Sequence, residues 1–79
     1  MLDLVRVNQD DLVLEAYTDR AVESLGVCLP EFRVKFKEGS TPKYAILSRN
    51  DDYSYDNLTG FDTLNECVDY ITQLTNSRS

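Results

Sequence analysis

The chain has 79 residues, 42% of them hydrophobic and 28% charged, and its 14 acids against 8 bases give a net charge of −6 at pH 7. This composition excludes a disordered chain, and the length allows a single domain, residues 1–79, with a small core. The absence of histidine excludes Ser-His and Cys-His nucleophile pairs and the common zinc sites.

No segment of the chain has the properties of a membrane or secretory signal. No apolar run approaches the ~20 residues needed to span a bilayer, and Asp3 and Arg6 interrupt what would be the apolar region of a signal peptide. We therefore expect a cytoplasmic protein without membrane association, folding alone or as a homodimer. Cys28 and Cys67 lack CxxC spacing, and in that compartment we expect two free thiols.

The N-terminal third predicts a strand followed by a helix. Residues 1–7 have the composition of a strand, and the Asx-rich stretch after them resembles a capped helix start. The Ala, Leu and Glu content that follows favours one helix over residues 9–25, with Gly26 as its C′ residue. The alternative is a second strand at residues 12–17 followed by a short helix at residues 19–25.

The middle of the chain predicts an antiparallel hairpin. Apolar and basic residues alternate over residues 32–37, and after a Gly-Ser-Thr-Pro turn a second run, residues 43–48, alternates again. If Lys37 lies opposite Lys43, the register is fixed. It places Phe36–Tyr44 and Val34–Ile46 on one face, and Lys35–Ala45 and Arg33–Leu47 on the other.

The C-terminal part predicts an amphipathic helix over residues 62–75. Its apolar residues, spaced for one helical face, are Leu64, Cys67, Val68, Ile71 and Leu74. Asp62 is a candidate N-cap, and Thr63 with Glu66 fits a capping box. Residues 50–60 are interpreted as a polar connection in which Tyr53 and Tyr55 offer a short strand, and residues 76–79 as a frayed end.

These elements in chain order predict a two-layer α+β domain of β-α-β-β-α order. Its sheet is antiparallel or mixed, and both helices cover one face.

Charge is segregated along the chain. Residues 33–49 hold five bases and one acid, a balance of +4, and the remaining residues carry −10. The hairpin's Lys and Arg, with nearby tyrosines, are candidate contacts for nucleic acid. Alternating cations are also usual on any solvated strand, and a net charge of −6 repels a polyanion.

Catalytic and metal chemistry has little support in the sequence. Residues 50–57 are rich in acids and amides, but they lack the central Gly and final Glu of a calcium loop. Cys67 lies on the apolar side of its helix, where a thiol is not activated. We expect no enzyme activity, no cofactor and no metal.

By elimination, the sequence predicts a small acidic protein that binds and regulates or inhibits a protein partner with a basic surface. Small inhibitors and accessory regulators encoded by phages are viral proteins of this kind. The predicted partner-binding residues are Asp10, Asp11, Glu15, Asp51, Asp52, Tyr53, Tyr55 and Asp56. The alternative is a nucleic-acid-binding module that uses the hairpin at residues 33–49, and a weaker one is a metal- or thiol-dependent accessory protein.

Overall fold

The computed structural model of the chain describes residues 2–78. They form β1 (Leu2–Gln9), β2 (Leu12–Thr18), β3 (Val22–Ser24), β4 (Val27–Leu29), β5 (Phe32–Phe36), β6 (Tyr44–Arg49), β7 (Tyr55–Phe61) and α1 (Leu64–Ser77). Met1, in the predicted first strand, and Ser79, in the predicted frayed end, lie outside the described residues.

The protein is a mixed α+β structure in which α1 covers one face of an antiparallel sheet. Five strands pair in the order β1-β2-β5-β6-β7, and β3 pairs with β4 in a separate two-stranded ribbon. Helix α1 lies over β6 and β7. The opposite face of the sheet carries no helix within residues 2–78, and we call it the open face.

The β5–β6 hairpin has the predicted register. Phe36 pairs with Tyr44, Val34 with Ile46, Lys35 with Ala45, and Arg33 with Leu47. Lys37 N–H donates to the Lys43 carbonyl at 2.8 Å, which confirms that these two residues face each other across the turn. The rings of Phe36 and Tyr44 pack with centroids 5.1 Å apart, so an aromatic pair closes this end of the core.

Helix α1 confirms the predicted C-terminal helix and begins at its N-cap, Thr63, rather than at Asp62. The Thr63 hydroxyl accepts from Glu66 N–H at 3.2 Å and donates to the Glu66 carboxylate at 2.9 Å. The helix extends to Ser77, beyond the predicted end. Arg78, predicted as frayed, instead forms a two-pronged ion pair with the buried Glu31, in which Nη2 lies 2.8 Å from Oε1.

The structure corrects the predicted helix over residues 9–25 and with it the β-α-β-β-α order. Asp10 and Asp11 form a turn between β1 and β2, and Asp10 has φ 54°, which Asp tolerates better than most residues. Burial alternates along β2 with a period of two, as in a strand. The alternative placed the second strand correctly, but its short helix is replaced by the ribbon of β3 and β4.

The core lies between α1 and the helix-facing side of the sheet. Its fully buried apolar residues are Leu14, Ala16, Phe32, Val34, Ile46, Cys67 and Ile71. Within residues 2–78, every buried side-chain nitrogen and oxygen has a hydrogen-bond partner. No helix in this part of the chain has the length and apolarity to cross a membrane.

Candidate functional site

The ribbon of β3 and β4, which we call the arm (Val22–Leu29), ends in an unusual turn. Leu25 and Gly26 both have positive φ, 53° and 79°, as the type I′ hairpin turn requires. Asn-Gly is the favoured pair in such a turn, whereas a leucine in left-handed backbone costs roughly 1–2 kcal/mol. The Leu25 side chain is also fully exposed to solvent. Leu25 therefore combines an unfavourable backbone conformation with full exposure of an apolar side chain at the tip of the arm.

A second exposed side chain on left-handed backbone lies in the acidic turn (Asn50–Ser54), which joins β6 to β7. Tyr53 has φ 70° and is 50% exposed. The turn is held by Asn50 N–H donating to the Ser54 carbonyl at 2.7 Å, and by the Ser54 hydroxyl and N–H donating to Asp52. These bonds from Ser54 lower the pKa of Asp52 and keep its carboxylate charged. The turn thus fixes an aromatic ring among acids.

The residues that flank the acidic turn bind it to the base of the arm. Arg49 donates from Nη1 to the carbonyls of Leu29 and Pro30 at 3.1 and 3.0 Å, and from Nη2 to the carbonyl of Arg20. On the other side of the turn, the Tyr55 hydroxyl donates to the Pro30 carbonyl at 2.6 Å. The arm and the turn therefore lie at one end of the sheet as a connected unit, the arm-and-turn end.

The arm-and-turn end is acidic. Five carboxylates of exposed residues lie on it. Of its three arginines, Arg49 is directed at backbone carbonyls and Arg78 is paired with Glu31, and also lies 3.9 Å from Asp19. The acids are Asp19, Glu23, Asp51, Asp52 and Asp56. This end therefore combines apolar and aromatic side chains with a negative rim, an arrangement that suits a basic protein surface.

The structure brings together five of the eight predicted partner-binding residues. Asp51, Asp52, Tyr53, Tyr55 and Asp56 all belong to the acidic turn or to the start of β7. Asp10 and Asp11 lie at the other end of the sheet, where Phe36 N–H, at the end of β5, donates to the Asp11 carbonyl at 2.8 Å.

Glu15 is separated from the other predicted acids because it is used within the open face. Its carboxylate pairs with Arg33 Nε at 3.2 Å and accepts from the Tyr17 hydroxyl at 3.2 Å. Arg33 in turn lies over the Tyr55 ring, 4.2 Å from its centroid. The three side chains Glu15, Arg33 and Tyr55 hold one another in place.

The same contacts change the interpretation of the basic hairpin. Arg33 covers one face of the Tyr55 ring, and Arg49 is occupied by carbonyls, so neither is free for a phosphate. Lys35 and Lys37 have no ion pair within residues 2–78, and they border a shallow cavity of about 340 Å³ on the open face. Its lining is Asp11, Lys35, Lys37, Ala45, Leu47, Tyr55 and Asn57.

The acids and cysteines of the described residues do not assemble into a metal site. No three acids or cysteines in residues 2–78 are placed to hold a metal ion. Both cysteines are free, Cys28 exposed on the arm and Cys67 buried in α1, and burial raises the pKa of the Cys67 thiol.

Sequence reasoning missed Leu25, which was assigned to the end of a helix. The sequence does contain a signal for this turn. The pair Leu25-Gly26 lies between two short segments, residues 22–24 and 27–29, that can form strands, which is the position of a two-residue hairpin turn. Comparisons with protein-family models, with curated proteins and with solved structures give no match to this chain. The interpretation of the site therefore depends on its geometry and chemistry alone.

Proposed function

We propose that this is a small non-catalytic protein that binds a protein partner through its arm-and-turn end and thereby regulates or inhibits that partner. The observation that carries the proposal is Leu25, fully exposed on left-handed backbone at the tip of the arm. Exposure of this apolar side chain and strain in its backbone both reduce the stability of the unbound protein. A residue that carries both costs is consistent with a function in a complex.

An apolar side chain at the tip favours a protein partner over nucleic acid. Leu25 suits an apolar pocket, and an exposed aromatic residue such as Tyr53 is typical of protein interfaces. Phosphates would require free cations and a free stacking surface, and the open face directs two of its arginines inward. Nucleic-acid binding by Lys35 and Lys37 is the second candidate, and it is opposed by the net charge of −6.

The acidic rim favours a partner with a basic surface around its apolar pocket. The carboxylates of the acidic turn attract cations over several ångströms and increase the association rate. Leu25 and Tyr53 then contribute the contacts that determine how long the complex lasts. This division of roles gives separate tests for charge and for apolar anchoring.

The test compares capture by two leucine variants that differ in position. Biotinylated wild type, Leu25→Asn and Leu58→Asn are used to capture proteins from cells that express the chain, with quantification by mass spectrometry. Leu58 is the matched control because it is also exposed, at 44%, but lies on β7 away from the arm. Leu25→Asn places the favoured residue in the turn, so loss of binding would not reflect unfolding.

A protein partner captured by wild type and by Leu58→Asn, but reduced at least about tenfold with Leu25→Asn, supports the proposal. Equal enrichment by all three proteins contradicts it. If the wild-type protein instead retains RNA or DNA near physiological salt, the binding surface is the open face and not the arm-and-turn end.

A further inference from the structure

The two edges of the main sheet differ in how well they are covered. Within residues 2–78, β2 is the sole strand that pairs with β1, and α1 lies over β6 and β7 at the other side of the sheet. Leu4 is therefore 36% exposed and Val5 39% exposed, one on each face of β1. An edge strand with exposed apolar residues on both faces presents a row of backbone groups to which another strand can pair.

The opposite edge, β7, has the features that prevent such pairing. The register shifts between Ile46 and Leu47, so that Thr59 and Asn57 take successive pairings and Leu58 forms a bulge. Pro42 packs over Gly60 so closely that a Cβ on Gly60 would lie 2.4 Å from the proline ring. In β1 the pairing with β2 is regular from Leu2 to Arg6, and no proline, glycine or bulge interrupts that stretch.

The occupant of the β1 edge must be a strand, because only a strand satisfies a row of alternating N–H and C=O groups. A second copy of β1, running antiparallel about a two-fold axis, is self-complementary. Residues directly opposite each other must lie on the same face of the sheet. An axis at Leu4 meets this condition within the regular stretch, pairing Leu4 with Leu4, Leu2 with Arg6, and Asp3 with Val5 of the second copy.

Charge does not oppose pairing at this edge. Two molecules with a net charge of −6 repel each other, but β1 carries one acid, Asp3, and one base, Arg6. The register centred on Leu4 places no like charges directly opposite each other. The paired edges are neutral, so pairing adds no local repulsion between the two copies.

We propose that the protein forms a homodimer by antiparallel pairing of β1 with β1 of a second copy, giving a continuous ten-stranded sheet. The two-fold axis keeps both α1 helices on the same side of this sheet and reverses the strand direction between the copies. The arm-and-turn ends therefore lie at opposite extremes of the dimer, so each copy keeps its own site accessible. A dimer of this shape is bivalent.

The first test is covalent trapping at the axis. Leu4→Cys and, as matched control, Leu58→Cys are each made in a Cys28→Ser, Cys67→Ala background and oxidised mildly at micromolar concentration. A residue on the two-fold axis meets its own copy within disulfide range, whereas Val5→Cys, offset along the strand, does not. We expect a disulfide-linked dimer from Leu4→Cys alone. Equal cross-linking of Leu58→Cys, or none of Leu4→Cys, overturns the proposal.

The second test is the mass in solution, measured by sedimentation equilibrium over a range of concentrations. Wild type should move from 9.0 kDa towards twice that mass as concentration rises. Leu4→Glu, which places two carboxylates opposite each other, should raise the dimer dissociation constant about tenfold or more, and Leu58→Glu should not change it. A wild type of 9.0 kDa at every concentration, or a dimer unaffected by Leu4→Glu, contradicts β1 pairing. Neither result bears on partner capture by Leu25, because the two sites are separate.

Discussion

The β5–β6 hairpin with α1 differs from the arm-and-turn end in whether its residues have the backbone conformation and the burial that their types favour. In the first region, apolar periodicity, capping and cross-strand pairs all agree with the burial of Val34, Ile46 and Ile71. In the second, Leu25 and Tyr53 take backbone conformations that neither residue favours, and both stay exposed. The first region has features that optimise stability, and the second carries costs that stability alone does not explain.

The two regions meet at Glu31 and Arg78. Glu31 follows the base of the arm, and its backbone carbonyl accepts from Arg49 N–H at 2.9 Å. Its carboxylate accepts from Thr18 and from Arg78 at the end of α1. Mutations can therefore affect the core, this junction and the binding end separately, with effects that should decrease in that order.

The largest expected effect is in the core. Ile71 is fully buried between α1 and the sheet, so Ile71→Ala removes packed methyl groups and leaves a cavity. We expect a loss of about 2–5 kcal/mol in the free energy of unfolding, measured by urea denaturation. Leu58→Ala, on the exposed edge, should cost less than about 1 kcal/mol. Similar values for the two variants would mean that α1 does not pack as described.

A smaller effect is expected at the junction. Arg78→Met removes both hydrogen bonds to Glu31 while keeping the aliphatic part of the side chain. Because a hydrogen bond to a charged group contributes about 1.5–3 kcal/mol and Arg78 is partly solvated, we expect a loss of about 1–2 kcal/mol near pH 7. Urea denaturation of wild type and variant gives this difference directly.

The pH dependence of the same pair adds a second readout. Burial alone would raise the pKa of Glu31, but the hydrogen bonds from Arg78 and Thr18 outweigh it and lower that pKa. A lowered folded-state pKa gives stability that is present above the unfolded value, about 4.3, and is lost as pH falls through the folded value. The difference between wild type and Arg78→Met should therefore shrink in acid. A difference that stays constant from pH 7 to pH 3 would mean that the charge of Glu31 is not involved.

The contrast between regions also explains how much the sequence could predict. The β5–β6 register and the existence of α1 follow from short-range periodicity, and both were predicted, although α1 begins and ends later than the predicted residues 62–75. The segment of β2 has the Ala, Leu and Glu content of a helix. It is a strand because it pairs with β1 on one side and, on the other, with β5, about 20 residues later in the chain. Gly26 was predicted as the C′ residue of a helix and instead lies in a hairpin turn, because helix C-caps and hairpin turns both require a residue with positive φ.

The same limit applies to the candidate site. The predicted residues of the acidic turn lie together because they are adjacent in sequence, from Asp51 to Asp56. Grouping Asp10, Asp11 and Glu15 with them depended on a helix that does not form. In the strand that replaces it, Glu15 points onto the open face and pairs with Arg33. Pairing between distant segments decides which surface a charge occupies, and composition does not encode it.

At the arm, stability and binding should change in opposite directions. Leu25→Asn relieves the left-handed strain at a type I′ turn, and we expect it to raise the free energy of unfolding by about 0.5–1 kcal/mol. The same substitution should abolish most partner binding, as described above. Thermal denaturation gives the first effect. A loss of stability in Leu25→Asn would show that Leu25 has a structural role, and the argument for binding would fail.

Charge substitutions at the two ends of the sheet should have the smallest effect on stability. Their effect on binding should be on the association rate. Asp51 and Asp11 are both exposed, and neither carboxylate holds a hydrogen bond in the described structure, so replacement by Lys changes net charge equally without removing a contact. Asp51→Lys should slow association with the captured partner several-fold at low salt, with little change in dissociation, because a rim charge acts mainly on the encounter. At 0.15 M ionic strength, where charge is screened over about 8 Å, Asp11→Lys at the far end should change the rate much less than Asp51→Lys, whereas at ~0.01 M screening extends over about 30 Å and the two effects should become more alike. Stopped-flow or surface-based kinetics at two salt concentrations would measure both variants. Equal slowing by both at about 0.15 M would indicate that only the overall net charge matters, whereas a larger effect of Asp11→Lys would place the binding surface at the opposite end of the sheet.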